Sequence, residues 1–315
     1  MGKKRWILTG VSVCILLLLF TLLVINYFYG EAVMRDTEVE LYSGEEVVEV
    51  VTSEENQAII DEAKQWFSMQ ELKQLEIVSK DNLLLKAHFI QQENSSDRAV
   101  ILVHGFREDG MKMGEYAKFY YELGYHIILP DARGHGQSEG DYIGYGWDDR
   151  MDYLDWANLL VENYGVEEII LHGKSMGASA VLMASGEEDL PSEVKGIIAD
   201  SGYTSVMEEL AHQLKHLYNL PSFPLLHLTS IMANVRAGYT FQEASAINQV
   251  EKNTRALYII HGQEDELVPT KMAHELYKAA GGEKYVWIVP GATHSQGYTV
   301  AVKEYQKRLE DFINR

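Results

Sequence analysis

Between Trp6 and Gly30 the chain carries no charged side chain, and Lys3, Lys4 and Arg5 stand immediately before that run. A helix of about 20 apolar residues spans a bilayer, and a helix with no polar face does not belong on the surface of a soluble domain. Trp6 marks one end of the run and Tyr27, Phe28 and Tyr29 the other, where amphipathic rings favour the membrane interface. The run exceeds the roughly 7–15 residues of a signal-peptide core, and no small-x-small cleavage site follows it. The pattern predicts an uncleaved signal anchor over residues 1–30. The cations stay on the cytoplasmic side and the rest of the chain is extracytoplasmic; secretion after signal cleavage is the alternative.

After the anchor the pattern changes twice. "EAVMRDTEVELYSGEEVVEVVTSEENQ" is acid-rich and lacks a sustained apolar period. It reads as a linker with some short helix or strand. "NQAIIDEAKQWF" then has a helical period, so residues 31–73 form a linker and a leading helix. From about residue 74, "QLEIVSKDNLLLKAHFI" reads as two strands around Lys80-Asp81-Asn82. Strands and helices alternate from there. The runs "RAVILVHGF", "YHIILPD", "VEEIILHG", "VKGIIADSG", "RALYIIHG" and "KYVWIVPG" are apolar and β-rich. Between and after them lie "MGEYAKFYYELG", "DDRMDYLDWANLLVENYG", "MGASAVLMAS", "KMAHELYKAAG" and "YTVAVKEYQKRLEDFI", all of helical character. Continuous apolar strands alternating with helices predict an α/β domain over 74–315, with a mostly parallel sheet covered on both faces. Residues 203–250 interrupt the alternation. They hold no convincing strand, break at Pro221 and Pro224, and are too long for a plain crossover. They are expected to form a helical lid.

Composition narrows the function classes. In 315 residues there are 47 Asp and Glu against 27 Lys and Arg, a formal net charge of −20. Such a surface repels phosphate backbones and anionic headgroups, which excludes a nucleic-acid partner; solubility is the ordinary reason for the acidity. Cys14 is the only cysteine, so neither an intrachain disulfide nor a cysteine zinc site is available. It lies inside the apolar run and reads as a small hydrophobe. Val13 before it does not suit a lipoprotein signal, and Trp6 stands where N-myristoylation of Gly2 wants Ser or Thr.

The candidate chemistry lies at strand ends. Gly173-Lys174-Ser175-Met176-Gly177 fits G-x-S-x-G. Ser175 falls between an apolar strand and a helix, the context a nucleophile elbow requires. The two glycines remove Cβ atoms where strand and helix pass closely. A helix-capping serine is the plain alternative. Partners follow in chain order. Asp265 lies beyond the strand "RALYII" and His294 beyond "KYVWIV", giving nucleophile, acid, base. A serine hydroxyl needs an imidazole to take its proton, and the imidazole needs a carboxylate to fix its tautomer.

With "LVHGF" at 102–106, "DARGHGQSEG" at 131–140, "GKSMGA" at 173–178, "HGQEDELVP" at 261–269 and "THS" at 293–295, the chain resembles the α/β-hydrolase family. The resemblance is to its bacterial esterase and serine-aminopeptidase-like branch, and it covers roughly residues 95–310. It implies an α/β-hydrolase fold with a Ser175–His294–Asp265 triad. It also implies an oxyanion hole built from the backbone N–H groups of Phe106 and Met176; this chain has HGF where some lipases have HGGG. The implied reaction is hydrolysis of an acyl bond, with a carboxylesterase first. A serine aminopeptidase or peptidase, or a thioesterase, on the same residues is the alternative, and a catalytically silent binding protein the non-enzyme reading. The expected partners are a small acyl ester or short peptide as substrate, and the membrane. No metal or organic cofactor is called for.

Several positions carry competing readings. Glu264 and Glu266 flank Asp265, and residue type alone does not separate them; family spacing favours Asp265, with Asp200 at the end of "GIIAD" as the other candidate. His104, His172 and His261 end strands beside glycines and read as structural. His135, in "RGHG", is expected to shape the rim. His212 and His216 have the spacing of two metal ligands, but Gln213 stands where HExxH has glutamate, and an amphipathic lid face is the better reading. Lys174 reads as a helix-start residue. Tyr203, Phe223, Leu225, Leu226 and Met232 are candidates to line a lid pocket.

Overall fold

The alternation resolves into an eight-stranded sheet in a computed structural model that describes residues 2–37 and 52–315. The short elements expected in the acidic stretch fall mostly at 38–51, outside the described residues. The strands are β1 (Lys73–Val78), β2 (Leu84–Ile90), β3 (Arg98–Val103), β4 (His126–Pro130), β5 (Glu168–Lys174), β6 (Val194–Asp200), β7 (Ala256–Gly262) and β8 (Lys284–Val289), in the spatial order β1-β2-β4-β3-β5-β6-β7-β8. β1 and β2 form an antiparallel hairpin, β2 pairs antiparallel with β4, and every later pairing is parallel. The central strands are buried along nearly their whole length. That is why they read as continuous apolar runs while β1, at the edge, alternates.

The helices are α1 (Gly2–Val33), α2 (Glu54–Ser68), α3 (Gly114–Glu122), α4 (Asp149–Tyr164), α5 (Met176–Ala184), α6 (Val206–Tyr218), α7 (Leu225–Ala237), α8 (Ala246–Val250), α9 (Lys271–Ala279), α10 (Gly297–Val300) and α11 (Val302–Ile313). Ser53, Ser205 and Ser245 cap α2, α6 and α8 through their side-chain oxygens, satisfying donors that a helix start leaves free. One core lies beneath α2, α3 and α11; the other lies beneath α4, α5, α8 and the lid helices α6 and α7. The chain is thus an α/β-hydrolase fold whose lid is inserted between β6 and β7.

α1 departs from a simple anchor. It is long and apolar enough to cross a membrane, and its side chains from Lys4 to Leu23 are exposed. Those residues measure about 30 Å at ~1.5 Å per residue, one bilayer core. The helix then enters the domain. Ile25, Tyr29 and Val33, spaced four apart, are buried and face the same side of the helix. α1 packs on α7, and Arg236 of α7 donates to Asn26 Oδ1 at 2.9 Å and lies over the Tyr29 ring. At and just past the end of α1, Arg107 donates to Glu31 O at 3.1 Å, a carbonyl left free by the helix end, and to Met34 O at 3.0 Å and Arg35 O at 2.9 Å. Tyr145 Oη donates to Ala32 O at 2.7 Å.

Candidate active site

Ser175 occupies the turn between β5 and α5 with φ 56° and ψ −119°. A non-glycine residue there is strained, and the surroundings hold it in place. The Ser175 N–H donates to Asp200 O at 2.7 Å. A Cβ on Gly173 would sit 2.1 Å from Gly177 O, and one on Gly177 would sit 2.3 Å from Val103 O. Both glycines are therefore required by close approach of β3, β5 and α5. Ser175 does not cap α5 through its side chain; its hydroxyl points elsewhere.

Ser175 Oγ lies 2.8 Å from His294 Nε2, and His294 Nδ1 lies 2.8 Å from Asp265 Oδ2. The loops after β5, β7 and β8 thus bring the three residues into one line. Asp265 Oδ2 also meets His261 Nε2 at 3.1 Å, and Oδ1 accepts the N–H groups of Leu267 and Val268 at 3.1 and 2.8 Å. Burial alone would raise its pKa, but hydrogen bonds from His261 and His294 overcome this and hold the carboxyl at about 2. Asp200 is engaged differently. Its oxygens accept from Tyr305 Oη at 2.8 Å and Ser201 Oγ at 2.9 Å, and burial raises its pKa.

The loop after β3 engages the N–H groups on either side of Phe106. Gly105 N–H donates to Glu108 Oε2 at 3.0 Å, Arg107 N–H to His135 Nε2 at 3.2 Å, and Glu108 N–H to Gly105 O at 3.3 Å. Among the described residues, neither the N–H of Phe106 nor that of Met176 has an acceptor. Phe106 lies in the loop after β3, and Met176 opens α5 directly after Ser175. His104 fixes the loop from below, with Nε2 accepting Ala132 N–H at 3.0 Å and Nδ1 on Gly105 O at 2.8 Å. His135 lies buried behind the loop, and burial pushes its pKa down to about 3, so it acts as a neutral acceptor. His172 is likewise pushed to about 3 by burial, between Tyr120 Oη and Tyr305 Oη.

Lys174 differs from its expected place. It ends β5 rather than starting a helix, and its Nζ lies 3.1 Å from Glu108 Oε2. Burial opposes ionisation of Glu108, but Lys174 and the Gly105 N–H keep its pKa below the usual value. The pair ties the turn holding Ser175 to the loop holding Phe106. His212 Nε2 bonds Glu266 O at 2.7 Å, on the loop of Asp265, and the exposed His216 ring stacks on His212.

Above Ser175 opens a cleft with a cavity volume of about 120 Å³, concave and mostly apolar as small-molecule sites are. Tyr203, Leu225 and Leu226 line it as expected, with Leu210, Leu214 and Leu217 of α6. Phe223 instead lies on the outside, 70% exposed, and Met232 packs against the core. Among the lining residues that were not anticipated are Phe28 and Ala32 of α1, Tyr145, and Glu209 of α6. Glu209 is buried with one oxygen bonded by Gln213 at 3.0 Å and the other without a partner. Burial, with the charge of Asp265, raises its pKa to about 8. Its sequence signal was available: Glu209 and Gln213, four apart, share the face of α6 that carries Val206 and Leu210.

Comparison with known proteins agrees with this architecture. Residues 94–230 match the family model of serine aminopeptidase, S33. The uncharacterized protein YqkD of Bacillus subtilis is 28% identical over 222 residues, 70% of this chain and 72% of that one. The lysophosphatidylserine lipase ABHD12 of Danio rerio is 26% identical over 197 residues, 60% of this chain but 49% of the lipase, so the chain spans about half of that relative. Among solved structures, the Pyrococcus furiosus esterase Pf2001 superposes with a TM-score of 0.66 at 25% identity, covering 80% of this chain and 93% of the esterase. The sheet order, the inserted lid and these similarities give the chain the α/β-hydrolase fold, and the relatives of named activity that it resembles are esterases and lipases.

Proposed function

We propose that this protein is a membrane-anchored serine hydrolase that cleaves carboxylic esters through an acyl-enzyme. The reading rests chiefly on the unbroken line Ser175 Oγ–His294 Nε2 and His294 Nδ1–Asp265 Oδ2, each 2.8 Å. His294 takes the Ser175 proton as Oγ attacks the acyl carbonyl. Asp265, ionised down to about pH 2, accepts the Nδ1–H and stabilises the imidazolium that forms. The Phe106 and Met176 N–H groups receive the oxyanion, each contributing roughly 3–4 kcal/mol to the transition state. His294 then protonates the departing alkoxide, and water activated by the same imidazole releases the acid.

The cleft above Ser175 is nearly all apolar, which favours a long acyl chain. Each buried methylene adds about 0.8 kcal/mol. The lipase relative points the same way. Lys4 and Arg5 before the span set the hydrolase domain outside the cytoplasm; protease digestion of intact cells, which should remove the domain from the outside, tests that orientation.

A second reading, aminopeptidase, is favoured by the family model and by the partnerless oxygen of Glu209 in the cleft, which an ammonium group would ionise. A panel of p-nitrophenyl esters, acyl thioesters and aminoacyl amides separates the two: the ester reading expects the greatest kcat/KM on medium- or long-chain esters. An alkyl fluorophosphonate should label Ser175 in the full chain, and His294→Ala should abolish hydrolysis with an unchanged circular dichroism spectrum. A folded chain that neither labels nor hydrolyses would be the silent binding protein.

A further inference from the structure

The membrane helix does more than tether the domain. Phe28, Glu31 and Ala32 of α1 line the cleft that holds Ser175. Phe28 also packs edge-on against Tyr218 at the end of α6, with ring centroids 5.3 Å apart. Where α1 leaves the exposed span at Leu23, Phe28 follows within about 8 Å of helix rise and Ala32 within about 14 Å. α7, the lid helix packed on α1, exposes Ile231 and Val235, so the lid carries apolar surface close to the bilayer boundary.

Resting on the hydrolase reading above, we propose that the last turns of the membrane helix are a wall of the acyl site, so that Phe28 and Ala32 determine which acyl chains it accepts and the cleft meets the bilayer surface. The chain that enters is the single apolar tail of an ester already dissolved in the membrane. Such a tail stays in contact with apolar side chains from the span to Ser175, whereas a soluble short ester gains nothing from the wall. The wall is also linked to the catalytic loop. Arg107, which follows Phe106, holds three carbonyls at and just past the end of α1. The Phe106 ring stacks on Tyr145 at 5.3 Å, and Tyr145 donates to Ala32 O.

The test uses the full chain in lipid nanodiscs and needs no variant for its first arm. A hexadecyl fluorophosphonate with a mid-chain diazirine is attached to Ser175 and irradiated, and the cross-linked peptides are mapped. The proposal expects adducts on the segment 24–35 of α1. Adducts confined to α6, α7 or α9, with Ser175 labelled, would overturn the wall and leave the hydrolase intact. Absence of any Ser175 adduct, together with no ester hydrolysis, would overturn the hydrolase reading itself.

The second arm measures the ratio of kcat/KM for p-nitrophenyl palmitate to that for p-nitrophenyl butyrate. Ala32→Phe, which puts a ring into the cleft, should lower the ratio at least about tenfold, the scale of methylene-level discrimination in a closed pocket. Phe28→Ala, which removes an apolar wall contact that only the long tail reaches, should also lower it, by a smaller factor. Leu16→Ala, in the exposed span, is the control. Equal ratios in all three variants would overturn the proposal.

Discussion

The ends of β6 and β7 lie side by side in the sheet, and each presents a buried aspartate, yet the two carboxyls live in opposite chemical worlds. Beyond β7, Asp265 accepts two backbone N–H groups and two imidazoles. That set stabilises the anion, and its pKa is held at about 2. At the end of β6, Asp200 accepts two hydroxyls, from Tyr305 and Ser201. Hydroxyls do not offset burial, and its pKa is raised. One loop is built to hold charge beside a histidine; the other is built to brace the sheet, its carbonyl fixing the Ser175 N–H. Residue type did not distinguish them, whereas the donors around them do.

The sharpest way to break the comparison is the same substitution at both sites. Asp265→Asn should lower kcat by about 10⁴-fold, because an amide there stabilises the wrong His294 tautomer. Asp200→Asn should lower kcat by no more than about tenfold and act instead on stability, by about 1–3 kcal/mol in urea unfolding. Equal losses of kcat would mean that both loops serve the histidine.

A smaller effect is expected at Gly262, the last residue of β7. A Cβ there would lie 2.4 Å from Thr293 O and 2.5 Å from Ala292 O, in the loop that carries His294. Gly262→Ala should displace that loop by a fraction of an ångström and reduce kcat/KM by about 10²-fold, read in a p-nitrophenyl butyrate assay beside the midpoint of thermal unfolding. A loop able to yield would give wild-type rates.

The smallest effect concerns how far the charge of Asp265 reaches. Glu209 is raised to about 8, by burial first and Asp265 second. Its folded pKa exceeds the unfolded value of about 4.3. The folded state therefore holds the extra proton between those pH values, and stability falls as pH rises through that window. Glu209→Gln should stabilise the protein at pH 8 by about 1–3 kcal/mol and have little effect at pH 5, measured as the difference in unfolding free energy. In an Asp265→Asn background the gain at pH 8 should shrink, since one cause of the raised pKa is gone. A gain that is the same at both pH values would remove Glu209 from the set of buried neutral acids.

Much of the site was legible because its determinants are local. An apolar strand, a glycine two residues to either side of Ser175, and strand-end loops carrying Asp265 and His294 are short-range patterns. The structure brings those residues together. What sequence left open was of a different kind. The choice between Asp200 and Asp265 depends on donors from Leu267, Val268 and Tyr305, set by loop geometry. Lys174 was read as the start of a helix because its partner Glu108 lies 66 residues away. Glu209 stands in the first turn of α6, a position where an acid's charge suits the dipole; only packing of the lid over the cleft buries it.

α1 marks the boundary most clearly. Its sequence determined a bilayer-length apolar helix, since length and the absence of charge suffice for that. It did not reveal that Ile25, Phe28, Tyr29, Ala32 and Val33 turn toward protein. Periodicity discloses a buried face only when the other face is polar, and a helix that passes from lipid to protein core is apolar toward both. The primary structure thus determined the sheet, the turn at Ser175 and the span. The donors that separate Asp265 from Asp200 and the α1 wall of the cleft come from segments far apart in the chain, and only tertiary packing decided them.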